Sequence, residues 1–367
     1  MPVTVLVCPL NWGLGHATRC IPVIRQLLER NCRVVVAASG ASLNMLQQEL
    51  ESGVEYEEFP GKEISYSRGK FMILKLTAQL PAFLFSIYKE YRWIQKQVKR
   101  IKPDIIISDN RYGARSKSAV SVFITHQLFV QMPPRLRLFQ GIANRINHMF
   151  IRAFDNCWVP DFPDTPGLSG ELSHYRQLPF VQFTGPLSRF SETQNYQGAG
   201  FSGNLPRNFI LVILSGPEPQ RSILEEKLKK ELREYVLVGF RAVPGDMRLK
   251  KSGKHYWFDH GNSDLMGWCL KYCRVVVSRS GYTTLMDMAV FGKKAVLIPT
   301  PGQTEQEYLA GLFSRKNYTV SLDQKDLSGI HDALAECETL AGVPEITGSG
   351  LLSKCINRVL QDAEKNQ

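Results

Sequence analysis

Residues 275–287 read Val275-Val276-Val277-Ser278-Arg279-Ser280-Gly281-Tyr282-Thr283-Thr284-Leu285-Met286-Asp287. The three valines make a short buried strand that delivers the chain to Ser278. Ser280 and Gly281 then fall where a helix begins, and Leu285, Met286 and Ala289 give that helix its buried side. Backbone N–H groups at a helix start have no intrahelical partner, so they are free to hold phosphate oxygens. Asp287 lies about two turns in, placed to accept from vicinal ribose hydroxyls. The plainer reading of the same pattern is a capped helix with an exposed acid.

The next stretch runs Pro299-Thr300-Pro301-Gly302-Gln303-Thr304-Glu305-Gln306-Glu307. Gln303, Gln306 and Glu307 recur at i, i+3 and i+4 and predict one helical face. Amides and a carboxylate there suit the hydroxyls of a sugar, although a polar face is common on any surface helix.

Around these segments the chain alternates strand and helix. In the second half the strands are Phe209–Leu214, Tyr235–Val238, Tyr256–Phe258, Val275–Ser278 and Ala295–Pro299. Helices fit the stretch after Pro219, Leu265–Tyr272, Tyr282–Phe291 and Gln303–Arg315. The first half has the same grammar, with strands at Val3–Val7, Arg33–Ala37, Val54–Glu58, Asp104–Ser108 and Val120–Thr125. Strands separated by helices imply a parallel sheet covered on both faces. The expectation is therefore an α/β protein of two Rossmann-like, doubly wound domains facing across a cleft. The first spans residues 1–190 and the second 208–350, joined by a Gly-, Ser- and Asn-rich linker at 191–207 and followed by a C-terminal helix at 351–367.

Two features bear on compartment and partners. Eight cysteines at irregular spacing form neither a disulfide framework nor a zinc site, and no basic leader precedes the first strand. Reduced thiols in a cytoplasmic protein are the expectation. The net charge of +11 is uneven: residues 1–190 hold 23 Lys and Arg against 14 Asp and Glu, whereas residues 191–367 hold 22 against 20. A positive first half attracts phosphates, acidic membrane surfaces or nucleic acid, and no nucleic-acid motif accompanies it. Phe71–Tyr88 is apolar but interrupted by Lys75 and Pro81, too broken for a membrane-spanning helix. Beyond it Lys89, Arg92, Lys96, Lys99 and Arg100 share one helical stripe, and Tyr91, Ile94, Val98 and Ile101 another. That pattern fits a core-packed helix pair with a solvated basic face, and equally a peripheral contact with the inner face of a membrane.

The first strand leads into Asn11-Trp12-Gly13-Leu14-Gly15-His16. Gly13 and Gly15 let backbone approach a ligand at a helix start. A dinucleotide fingerprint would need a third glycine where Thr18 stands, so NAD is not indicated. His16 faces the carboxyl ends of the strands, where open α/β sheets bind ligands. A neutral imidazole there can take a proton from an acceptor hydroxyl, although a lone histidine is more often a capping or packing residue. Asp109 ends a second strand on that rim, as rival base or as the group that orients one. His126 and Gln127 end a third.

These motifs resemble the GT-B glycosyltransferases of family 28, typified by MurG, and within them an uncharacterised bacterial branch. The likeness covers most of the chain and is sharpest at Ser278–Tyr282 and Pro301–Tyr308. It implies an inverting transfer of a hexose or N-acetylhexosamine from a nucleotide-diphosphate sugar, UDP-linked or similar, to a hydroxyl acceptor. That acceptor is expected to be a glycan of the cell envelope or one carried on a lipid. The resemblance places Gly13, Gly15, Arg189, Ser215, Gly216, Ser280 and Gly281 around the donor diphosphate. It puts Asp287 on the ribose and Gln303, Gln306 and Glu307 on the sugar, with His16, Asp109 and His126 catalytic. It also likens the stretch from Arg68-Gly69-Lys70 to Asp104 to acceptor-side helices that lean on the membrane. No Asp-x-Asp motif is present, so neither metal nor resident cofactor is expected. Departures are the second-domain loop, Ser215-Gly216-Pro217-Glu218, and Asp in place of the usual Glu at 287. Two rivals from other classes are a nucleotide-sugar epimerase and a non-catalytic nucleotide-sugar-binding protein.

Overall fold

The structure is a computed structural model and describes residues 2–365, apart from 12, 51, 61–71, 191–193, 202, 217, 244–246 and 346–349. Trp12 and the Arg68-Gly69-Lys70 stretch thus lie outside the described residues.

The first domain runs β1 Thr4–Pro9, α1 Leu14–Leu28, β2 Arg33–Ala38, α2 Gly40–Glu49, β3 Val54–Glu58 and α3 Met72–Ile101. It continues with β4 Ile105–Asp109, β5 Val120–Ile124, α4 Gln140–Ile151, β6 Asn156–Val159, α5 Glu171–His174 and β7 Val181–Phe183. The second runs β8 Ile210–Ile213, α6 Gln220–Glu231, β9 Leu237–Phe240, β10 Lys250–Ser252, β11 His255–Phe258 and α7 Ser263–Tyr272. After these come β12 Val275–Ser278, α8 Tyr282–Ala289, β13 Ala295–Leu297, α9 Thr304–Arg315, β14 Thr319–Ser321, α10 Ile330–Thr339 and α11 Leu351–Lys365.

Each domain has one sheet, ordered β3-β2-β1-β4-β5-β6-β7 and β10-β11-β9-β8-β12-β13-β14. All pairings are parallel except the β10–β11 hairpin. Valine and isoleucine runs dominate the central strands because both faces are covered: β1 and β4 are buried at every position. Strand order reverses between β1 and β4 in one sheet and between β8 and β12 in the other. Ligands of open α/β sheets collect beyond the strand ends at such reversals. The loops with Gly13–His16, Ser215–Gly216 and Ser280–Gly281 follow β1, β8 and β12, and Asp109 ends β4; His126 follows β5 and Pro299–Gln303 follows β13.

The structure differs from the sequence expectation at the linker, and it shows where the C-terminal helix packs. Tyr196 and Leu205, from the expected linker, are buried in the second domain's core. Helix α11 returns to the first domain, where Leu352, Cys355, Ile356 and Val359 pack with Val5, Ile24 and Leu27. Its apolar stripe needs a face to cover, and α1 and β7 provide one. The expected helix pair around Pro81 is a single helix, α3, that continues through the proline. All eight cysteines are buried and unpaired.

Candidate active site

On the first domain, β1 ends in the turn that opens α1. Gly13 takes φ 82° as its N-cap, a conformation that favours glycine, and no side chain caps the helix. His16 stands in the first turn. Arg19, one turn on, is 1% exposed. Asp109, at the end of β4, has no exposed surface. Arg19 donates to Asp109 through Nε at 2.7 Å and makes a second, closer bond through Nη2. The guanidinium also reaches both histidines, with Nη1 3.2 Å from His126 Nδ1 and Nη2 3.0 Å from His16 Nδ1. His16 Nδ1 also lies 3.3 Å from Asp109 Oδ2.

Burial alone would raise the Asp109 carboxyl, but Arg19 and His16 outweigh it and hold it at about 2. Burial lowers His16, with Asp109 pulling upward and Arg19 downward. A fully buried, ion-paired carboxylate cannot reach an acceptor hydroxyl, whereas it can orient an imidazole that does. Arg19 was not among the residues singled out in sequence. Its signal is a cation inside a run of small and apolar residues, Ala17 to Val23, that form the buried side of α1.

On the second domain, the loop after β8 carries Ser215 and Gly216, the latter at φ 101°. Across from Gly216 lies Thr300, whose buried Oγ1 has no hydrogen-bond partner among the described residues; a Cβ on Gly216 would stand 3.8 Å from it. Ser280 donates its hydroxyl to the Gln306 carbonyl at 2.7 Å. Gly281 is the N-cap of α8, again without a side-chain cap. Arg279 is buried beside them and donates to the carbonyls of Ile298, Pro299 and Gln220 and to Gln324. It thereby ties together the loops that follow β8, β12, β13 and β14. Burial without an acidic partner lowers it to about 10.

The two helix starts meet at the seam. Thr283 of α8 donates to the Gly15 carbonyl at 3.3 Å, and a Cβ at Gly15 would come within 2.9 Å of Thr283 Oγ1. Two helix N-termini, neither capped by a side chain, converge between the domains and present positive dipole ends to one place.

Arg189 and Asp287 lie together at this junction. Ser188 donates to Asp287 at 2.6 Å. Burial lifts the Asp287 carboxyl to about 6, against the pull of Arg189 and Ser188. Arg189 Nη1 approaches Glu49 at 3.3 Å, and its buried Nε has no partner among the described residues. The same Glu49 oxygen accepts from the Ser263 N–H at 2.7 Å. A carboxylate raised in the fold contributes stability while protonated and loses it as pH rises through about 6. Asp287→Asn keeps an acceptor for Ser188 without the charge. The expected outcome at pH 8 is a folded state steadier by about 1–2 kcal/mol in urea melts. UDP affinity in calorimetry should fall by about 1–3 kcal/mol through loss of a charge-assisted bond.

Helix α9 divides its residues in a way the sequence did not reveal. Gln303 is the N-cap. Gln306 is buried and accepts from the Thr300 N–H at 2.8 Å, while Glu307 accepts from the Gly302 N–H at 2.8 Å. Both hold their own loop, so the three residues do not form one open face. The residues that reach the first domain are Thr304, Glu305 and Tyr308. Thr304 donates to the Gln131 carbonyl at 3.0 Å, and Tyr308 accepts from the Glu171 N–H at 2.6 Å. Glu305 Oε1 lies 2.6 Å from His126 Nε2, and Oε2 takes a short bond from Gln127.

Residues 247–341 match the family model described as the glycosyltransferase family 28 C-terminal domain. An uncharacterised glycosyltransferase of Methanosarcina acetivorans is 23% identical over 337 residues, covering 87% of this chain and 82% of the relative. The UDP-N-acetylglucosamine–N-acetylmuramyl-(pentapeptide) pyrophosphoryl-undecaprenol N-acetylglucosamine transferase of Alkaliphilus oremlandii is also 23% identical, covering 86% of this chain and 84% of that protein. Among solved structures, the glycosyltransferase SnogD from Streptomyces nogalater matches with a TM-score of 0.61 at 12% identity, covering 99% of this chain and 100% of that one.

Proposed function

We propose, from the premise that the chain is a glycosyltransferase of the GT-B fold with a family 28 C-terminal domain, that it transfers a hexose or N-acetylhexosamine from a UDP-sugar to a hydroxyl acceptor with inversion. The observation that carries this reading is the convergence of the α1 and α8 N-termini at the seam. The N–H groups and dipole at the start of α8 by Gly281, with the backbone of the Ser215–Gly216 turn, suit a diphosphate, and Arg189 and Asp287 lie alongside for phosphate and ribose.

In this reading His16 is the base. His16 Nδ1 lies 3.0 Å from Arg19 Nη2 and 3.3 Å from Asp109 Oδ2; to act as base it carries its proton on Nδ1 toward Asp109, with Arg19 Nη2 turned onto Asp109 alone, and the Nε2 lone pair meets the acceptor. The acceptor oxygen bonds to the anomeric carbon as the bond from that carbon to the diphosphate oxygen breaks. The hydroxyl proton goes to His16, and the electron pair leaves with UDP toward the helix N-termini. The test is UDP release from a panel of UDP-sugars with and without hydroxyl acceptors. Acceptor-dependent release supports transfer; isomerised sugar without release contradicts it.

The acceptor reading rests on the first domain's surface and on the Alkaliphilus relative, whose name specifies an undecaprenol-linked acceptor. Among the described residues no helix is long and apolar enough to cross a membrane. Helices α3 and α4 both pack on Tyr112. Leu84, Phe85 and Tyr88 of α3 are exposed, as are Ile142, Ile146 and Met149 of α4 and the preceding Leu138 and Phe139; Leu138 is 94% exposed. Lys89 and Arg92 flank the first group. Apolar side chains rimmed by cations fit a peripheral seat on anionic lipid, reached from the cytoplasmic side. Leu138→Ser combined with Phe85→Ser should reduce sedimentation with anionic phospholipid vesicles about tenfold. Equal sedimentation of variant and wild type contradicts the seat.

A further inference from the structure

The contact between Glu305 and His126 joins residues from opposite domains, and its chemistry has one consistent assignment. A guanidinium only donates, so Arg19 Nη1, 3.2 Å away, requires a lone pair on His126 Nδ1. A neutral imidazole with that lone pair carries its proton on Nε2. Nε2 faces Glu305 Oε1 at 2.6 Å, a carboxylate that only accepts. The His126 ring is held flat against Tyr282 at 4.1 Å between centroids, and Gln127 fixes the second Glu305 oxygen. The result is an alternating chain of Asp109, Arg19, His126 and Glu305, with His16 bonded to the same guanidinium.

We propose that Glu305 is a positioning residue: when the donor-side domain closes, its carboxylate fixes His126 as the Nε2–H tautomer and, through Arg19, sets the orientation of His16. Arg19 serves both histidines from one rigid plane. Anchoring its Nη1 edge on His126 determines how its Nη2 edge shares His16 Nδ1 with Asp109. Glu305 comes from the donor-side domain, so this arrangement is complete only with the cleft shut. That order of events keeps the base unprepared until donor and acceptor are enclosed. The inference rests on the glycosyl-transfer reading for its purpose, but not for its geometry.

Two-bond nitrogen–proton spectra of the full chain with labelled histidines test it, recorded without and with UDP. The seven histidines are sorted by the loss of one set of signals in His126→Gln. In its neutral form, wild-type His126 should show its proton on Nε2 alone. Glu305→Gln, which retains an acceptor, should keep that pattern. Glu305→Ala should lose it, moving to mixed tautomers and shifting His16 as well. Tyr308→Phe removes a different seam contact and should leave both histidines as in wild type. A proton on His126 Nδ1 in wild type overturns the proposal. So does a Glu305→Ala spectrum identical to wild type, or the same change in Tyr308→Phe, which would make the seam rather than the carboxylate responsible. Calorimetry with UDP on the same samples separates the two ideas. Absence of UDP binding counts against the donor assignment, whereas UDP binding with an unchanged His126 in Glu305→Ala counts against this role alone.

Discussion

Replacing His16 with Ala should lower turnover by about 100-fold to 10,000-fold while UDP affinity stays nearly unchanged. The base acts only as the acceptor loses its proton, so its removal is felt in the transition state and scarcely in donor binding. The side chain is partly exposed at the start of α1, and its Nδ1 is within reach of Asp109. The diphosphate, by contrast, is assigned to backbone groups of the other domain. Steady-state kinetics with UDP calorimetry separates the two effects. A variant with wild-type turnover would remove His16 as base. Asp109 could not replace it without moving, because it is enclosed and paired.

The second large effect concerns folding. Arg19→Met should destabilise the protein by about 3–5 kcal/mol in urea melts, because it leaves Asp109 as a buried charge without its cation. The pH dependence should also change sign. In the wild type Asp109 is held at about 2, so its contribution is full above the ordinary carboxylate range and is lost as pH falls through about 2. Without Arg19 burial dominates and raises the carboxyl. Stability is then greatest where Asp109 is protonated and falls as pH rises through the new value. Adding Asp109→Leu to Arg19→Met removes the stranded charge and should recover most of the loss. If the single variant is as stable as wild type, the buried pair does not hold the first domain's rim in the way described.

The central strands were legible in sequence because parallel strands covered on both faces must be runs of Val and Ile, as in β1, β4 and β12. Four peripheral strands were not. Strands β6, β7, β10 and β14 are three or four residues long, too short for a clear pattern, and the first three include Asn156, Gln182 and Lys250, which carry little strand signal. The clustering of strand ends was legible because the topology puts them on one rim, which is why His16, Asp109 and His126 come together around Arg19. The α9 assignments fared differently. Periodicity tells which residues share a helical face, not what that face meets, so Gln306 and Glu307 turned out to brace their own loop. Glu305 and His126 are 179 positions apart, and local pattern contains nothing that pairs them. Arg19 was not singled out: a cation among apolar residues is its sequence signal, and its bonds to Asp109, His16 and His126 needed the geometry.

A crystal structure of the protein with UDP tests the donor site most directly. The diphosphate should lie against the N–H groups at Gly281–Thr283 and the Ser215–Gly216 turn, with the ribose hydroxyls on Asp287. A nucleotide seated away from the seam between β8 and β12, with those amides facing water, would contradict this placement.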